Sequence, residues 1–133
     1  DQLKVKHLMV VGHYGCGGVK AALLDLRVGL ADNWLRHVRD VADRHYKRMQ
    51  RVPEARKLDA LCELNAIEQV VNVAQTTVMK DAWNRGQEVT LHGWVYGISD
   101  GLVHDMHMTC GGNDELLPVY KQALERWDSR YCA

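Results

Sequence analysis

The sequence predicts an α/β fold built on a parallel sheet, and three observations lead there. An apolar run rich in β-branched residues, Val5-Lys6-His7-Leu8-Met9-Val10-Val11, ends at Gly12-His13-Tyr14-Gly15-Cys16-Gly17-Gly18 and passes directly into the helical pattern Val19-Lys20-Ala21-Ala22-Leu23-Leu24. Across residues 58–83 the apolar side chains Leu61, Leu64, Ile67, Val71, Ala74, Val78 and Ala82 recur at three and four, the period of a helix. Residues 88–96 then alternate as a strand does, and strands alternating with helices define the α/β class.

Each element follows from local chemistry. The unbroken apolar character of the first run predicts a strand buried on both faces. Gly29 ends the first helix, and Asp32 or Asn33 is expected to cap the next, whose Trp34, Leu35, Val38 and Val41 share a face while much of its length is exposed. Pro53 and Glu54 suit a helix start. One helix over 58–83 would be unusually long, so a break is expected near Thr76-Thr77, with Thr76 capping the second piece and Gly86 ending it. Gly97, Asp100 and Gly101 make a turn into a third strand over 102–109, at a sheet edge. Leu116, Leu117, Tyr120, Leu124, Trp127 and Tyr131 give the tail a helical stripe.

The chain has 133 residues, the length of one domain, taken as 1–133. Seventeen Lys and Arg balance seventeen Asp and Glu, which argues against a nucleic-acid binder, since that task needs a basic excess. No apolar run reaches the roughly 18 residues of a membrane span. Cys16, Cys62, Cys110 and Cys132 are unevenly spaced and no secretion signal accompanies them, so reduced thiols and a cytoplasmic setting are expected. The chain starts at Asp1 and reaches strand-like sequence within four residues, which reads as a segment of a longer protein.

The chemistry concentrates in residues 12–18. His13 and Cys16 lie three apart across a glycine-rich turn at the carboxyl end of a strand, where α/β sheets collect ligands. Imidazole and thiolate together suit zinc. The glycines also admit a phosphate cradle, although G-x-x-G-x-G-G is neither the dinucleotide fingerprint nor the P-loop. A tight turn with Cys16 as a small packed residue is the third reading. Spacing alone leaves all three open.

The chain as a whole resembles the β-class carbonic anhydrases, of the bacterial kind. The resemblance rests on His13-Tyr14-Gly15-Cys16-Gly17-Gly18-Val19, Gly29-Leu30-Ala31-Asp32-Asn33-Trp34-Leu35, Leu61-Cys62-Glu63-Leu64-Asn65, Asp81-Ala82-Trp83-Asn84-Arg85-Gly86 and His92-Gly93-Trp94-Val95-Tyr96-Gly97-Ile98. The stretch from about Gly111 is less typical. The resemblance implies the parallel-sheet fold of that family, incomplete on its N-terminal side. It implies a lyase that hydrates carbon dioxide reversibly to bicarbonate through a zinc-bound hydroxide, with His13 and Cys16 as two of three protein zinc ligands. Gly17 and Gly18 would line the place of carbon dioxide and bicarbonate, and Tyr96 matches a residue of an inhibitory bicarbonate pocket found in some bacterial members. A homodimer or tetramer is implied.

One departure matters. The family's third ligand, in a Cys-x-Asp-Ser-Arg motif that also supplies a catalytic Asp–Arg pair, is absent, so no catalytic residue of that kind stands in this chain. Asp128-Ser129-Arg130 spells part of the motif, but Arg126 occupies the cysteine position and the triplet reads as chance. The chain alone is therefore expected to hold zinc weakly and to hydrate carbon dioxide poorly. The alternative is a truncated or decayed homologue acting as a non-catalytic assembly or binding module. Thiolate ligation should also make a coordinated water less acidic than three imidazoles would, which predicts an alkaline preference for the intact protein.

Other features take plainer readings. His7 is expected to be a packed or edge histidine. His104 and His107 would face opposite sides of an edge strand, and the basic run Arg36, Arg39, Arg44, Lys47, Arg48 and Arg51, interleaved with Asp40 and Asp43, reads as a solvated helix face.

Overall fold

The computed structural model describes residues 1–132. Its strands are β1 (His7–His13), β2 (Thr90–Gly97) and β3 (Leu102–Asp105). Its helices are α1 (Gly17–Leu23), α2 (Asp32–Arg44), α3 (Tyr46–Gln50), α4 (Lys57–Ala74), α5 (Thr77–Asn84) and α6 (Asn113–Tyr131), with short 3₁₀ turns at Gly29–Ala31 and Glu54–Arg56. The sheet order is β1-β2-β3, with β1 parallel to β2 and β3 antiparallel to it. The α/β class with a parallel pair is as the sequence predicts.

Helix α4 is the centre of the molecule. Leu61, Leu64, Ile67, Val70 and Ala74 are fully buried, and so are Glu63 and Glu68, because α4 is covered nearly all round. One side of α4 meets the inner residues of the sheet, Leu91 and Val95 among them. Helix α6 docks on it through Trp127, whose indole N–H donates to the Ala60 carbonyl at 3.0 Å. The break at Thr76 occurs as predicted, with its Oγ1 accepting the Met79 N–H at 3.3 Å, and Gly86 ends α5 at φ +76°. Gly93 is required by packing: a Cβ there would meet Val70 Cγ2 at 2.9 Å and Met108 Cβ at 3.1 Å.

Several expectations are corrected, among them the end of the first helix, which comes at Leu23 rather than at Gly29. β1 is not buried on both faces. His7, Met9, Val11 and His13 are exposed along one face, because the helices pack against the other and β1 ends the sheet among the described residues. The strand also begins at His7, leaving Val5 outside it. Neither Asp32 nor Asn33 caps α2: Ala31 holds that position without a side-chain bond, and Asp32 Oδ1 accepts the Val28 N–H at 3.0 Å instead. β3 stops at Asp105, because His107 takes φ +54° and turns the chain, and the pairing with β2 continues through the Met106 N–H, which donates to the Gly93 carbonyl at 3.0 Å, and a bridge between Leu91 and Cys110.

The basic run is not purely a solvated face. Arg39 reaches the Leu26 carbonyl, Arg44 reaches Glu68 and Arg48 reaches Asp128, so these side chains tie neighbouring segments together. His7 opens β1 at the edge of the sheet, with Nδ1 3.1 Å from His92 Nε2.

Candidate metal centre

Strand β1 delivers His13 as its last residue, in register with Tyr96 on the parallel neighbour β2. Residues paired in this way project to the same side of the sheet, so imidazole and phenol stand side by side on its open face. Gly15, at φ +69°, turns the chain left-handed between His13 and Cys16. Cys16 is half-buried at the position before α1, with extended backbone, and its carbonyl accepts the Lys20 N–H at 2.9 Å.

Tyr14 holds this loop by three bonds. Its N–H donates to the Tyr96 carbonyl at 3.0 Å, extending the β1–β2 ladder by one residue. Its hydroxyl donates to Glu63 Oε1 at 2.6 Å, and burial, reinforced by the Glu63 carboxylate, pushes that hydroxyl well above the usual tyrosine range. Its carbonyl accepts a hydrogen bond from His13 Nδ1 at 2.9 Å. A carbonyl can only accept, so Nδ1 carries the proton and Nε2 of the neutral ring keeps its lone pair. A backbone carbonyl fixing the tautomer of a ligating histidine is a recurring second contact of metal sites.

The two candidate glycines differ. A Cβ on Gly17 would meet nothing within 4 Å, so the space before it is open, whereas one on Gly18 would meet Leu35 Cδ2 at 3.1 Å. A depression of about 600 Å³ borders the loop at Tyr14 and Gly15 and is walled by Asp59, Asp100, His104 and Tyr131. Neither His13 nor Cys16 lines it. In that wall His104 Nε2 lies 2.8 Å from Asp100, whose carboxyl is held below its usual range first by the Leu102 N–H and then by His104.

Imidazole nitrogen and thiolate sulfur are donors that zinc accepts, and the free Nε2 gives His13 a defined coordinating atom, so the residues present fit part of a four-coordinate zinc site. Among the described residues no three His, Cys, Asp or Glu side chains gather into a metal-holding group. Asp128-Ser129-Arg130 supplies none of the remainder: it lies within α6, where Asp128 pairs with Arg48 and Arg130 with Glu63. Cys62 and Cys110 are buried, with burial pushing the Cys62 thiol up to about 11.

The sequence profile of the family described as Carbonic anhydrase matches residues 1–103. The chain belongs to the β-carbonic anhydrase family. A carbonic anhydrase of Emericella nidulans is 39% identical over 111 residues, spanning 83% of this chain and 49% of that protein. The β-carbonic anhydrase of Coccomyxa, solved in complex with acetazolamide, superposes with a TM-score of 0.83 at 33% identity, covering 97% of this chain and 61% of that one. A tetrameric β-carbonic anhydrase of Sordaria macrospora gives 0.72 at 27% identity, covering 82% and 56%. The chain thus spans about half the length of the curated relatives it matches. The family resemblance and the fold read from the sequence motifs are borne out, and all of α6 lies beyond the residues that the family profile matches.

Sequence reasoning missed Glu63 and Arg130. Arg130 donates to Glu63 Oε2 at 2.6 Å while Tyr14 takes the other oxygen, which links α6 to the ligand loop. The signal was present in α4, where Glu63 sits among Leu61, Cys62 and Leu64, too crowded with apolar neighbours to reach solvent.

Proposed function

We propose that the protein carrying this chain catalyses zinc-dependent, reversible hydration of carbon dioxide to bicarbonate, with His13 and Cys16 as two of its protein ligands. The single observation that carries the reading is the His13 Nδ1 hydrogen bond to the Tyr14 carbonyl, which leaves Nε2 free in a loop that also presents a thiol. Bound zinc would lower the pKa of water to about 7, making a nucleophile available at neutral pH.

The chain's own residues set the frame for that chemistry. His13 Nε2 and the Cys16 sulfur would hold the metal, with a third protein donor supplied from outside the described residues. The open space before Gly17 admits a small planar substrate, and Gly18 keeps α1 close to Leu35. Tyr96, beside His13, is assigned to a regulatory bicarbonate pocket. Association into a homodimer or tetramer belongs to the same reading, supported by the exposed Met9 and Val11 of β1 and by the tetrameric Sordaria relative. A cytoplasmic setting rests on the uneven cysteine spacing.

The test is metal analysis and stopped-flow carbon dioxide hydration on the full-length protein, alongside His13→Ala and Cys16→Ala. One zinc per subunit in the parent, its loss in both variants, and activity rising from about pH 6 to about pH 9 are expected. A parent that hydrates carbon dioxide rapidly without zinc would refute the proposal, as would variants that retain the metal.

A further inference from the structure

We infer that Glu63 and Arg130 are positioning residues for the proposed zinc site, acting through the Tyr14 hydroxyl to hold the Tyr14 carbonyl against His13 Nδ1 and keep His13 Nε2 as the coordinating nitrogen. The inference rests on the zinc reading and adds to it a structural line from the far end of the chain.

That line is continuous in hydrogen bonds. Arg130 donates to one oxygen of Glu63 at 2.6 Å, and Tyr14 donates to the other at 2.6 Å. Tyr14 in turn receives His13 Nδ1 at 2.9 Å. Glu63 is 3% exposed, so its carboxylate has little water to exchange for these partners. Both ends of the line are anchored. Arg56 donates to the Arg130 carbonyl at 2.7 Å, and Trp127 fixes the preceding turn of α6 to the Ala60 carbonyl. At the other end, the Tyr14 N–H is tied to Tyr96.

The Tyr14 ring is therefore the lever. Its N–H bond to the sheet does not itself hold the peptide plane between Tyr14 and Gly15, which carries the carbonyl His13 needs and turns its Gly15 N–H toward the Cys62 sulfur. Fixing the phenol at Glu63 restrains the Tyr14 backbone from the side-chain end. Without it, the carbonyl turns away more often, His13 Nδ1 loses its acceptor, and the ring proton redistributes toward Nε2, which then cannot coordinate. Neither Glu63 nor Arg130 is hydrogen-bonded to His13 or Cys16, and the contact that leads from them to His13 runs through Tyr14.

The experiment uses the full-length protein with Tyr14→Phe, Arg130→Gln and the double variant. Zinc affinity is measured by competition with a chromophoric chelator. The His13 tautomer is read from imidazole ¹⁵N resonances of the metal-free protein. Losing an outer contact of a ligating histidine should weaken zinc about 10- to 100-fold, with the Nδ1–H signal of His13 giving way to a mixture of tautomers. The double variant should bind no worse than Tyr14→Phe, because both changes cut one line. Unchanged affinity with an unchanged His13 signal would overturn the inference. So would weakened affinity with the Nδ1–H form intact, which would assign the loss to general loosening. If Tyr14→Phe does not fold, Arg130→Gln, at a partly exposed guanidinium, decides by the same two readouts. A parent that binds no zinc would end the proposed function, while the His13 signal would still decide the positioning roles.

Discussion

Replacing Glu68 by leucine should cost more stability than any surface change in this chain. Glu68 is 1% exposed on α4 and accepts from His45 at 2.6 Å, from the Tyr120 hydroxyl and from Arg44 at 2.6 Å. Arg44 is more than half exposed, so water replaces its lost partner and its bond adds little to the figure. His45 is nearly as buried as the carboxylate, and its Nδ1 already lacks a partner, so removing Glu68 leaves the ring only the long 3.5 Å contact of Nε2 with the Tyr120 hydroxyl. Removing one member of a buried pair costs about 3–5 kcal/mol. With a urea m-value of about 2 kcal/mol/M for a domain of this size, the midpoint should fall by about 2 M, followed by tryptophan fluorescence.

The pH dependence gives a second, independent arm. Burial alone would raise the Glu68 carboxyl, but hydrogen bonds from His45 and Tyr120, with the His45 and Arg44 charges, outweigh it and leave it lowered. A carboxylate depressed in the folded state contributes stability that is complete above its unfolded value near 4.3 and is lost as pH falls through the folded value. Glu68→Gln should remove that acid-limb loss while keeping the side chain's shape. A midpoint shift under about 0.5 M for the leucine variant, or an acid limb unchanged in the glutamine variant, would refute the role given to this cluster.

Three further outcomes follow from local geometry. Gly93→Ala places a methyl 2.9 Å from Val70 and 3.1 Å from Met108, and calorimetry should show a loss of about 1–3 kcal/mol. Thr76→Ala removes the bond to the Met79 N–H and should cost about 1 kcal/mol by urea unfolding, with the α4–α5 break retained. Cys62, buried with its thiol pushed up to about 11, should resist alkylation in the native protein at neutral pH and react fully in denaturant, as peptide mass mapping would show.

The parts legible in the sequence were those set by short-range chemistry. The strand–glycine–helix passage through residues 7–23, the capped break at Thr76 and the stop at Gly86 follow from backbone preferences within a few residues. The errors came where partners lie far along the chain. β1 was read as buried on both faces because apolar content does not say which faces a neighbouring element covers. Asp32 was offered to α2, but the Val28 N–H competes for the same oxygen. Of the candidate centre, the donor types at His13 and Cys16 were visible, whereas the fixing of His13 depends on Tyr14, and that of Tyr14 on a carboxylate 49 positions away. Periodicity marked α4 as a helix but could not assign partners to the two acids inside it.

The outer rim of β1 has a practical consequence. From His7 to His13 half of the backbone amide and carbonyl groups point away from β2, flanked by bare Met9 and Val11. Such a rim is a template for another extended segment, and one copy's β1 laid against a different rim of the next produces a stack with no closing symmetry. Concentrated solutions of the isolated polypeptide should therefore scatter light and bind amyloid dyes sooner than the rest of its composition would suggest, and a lysine at position 9 or 11 should delay that onset.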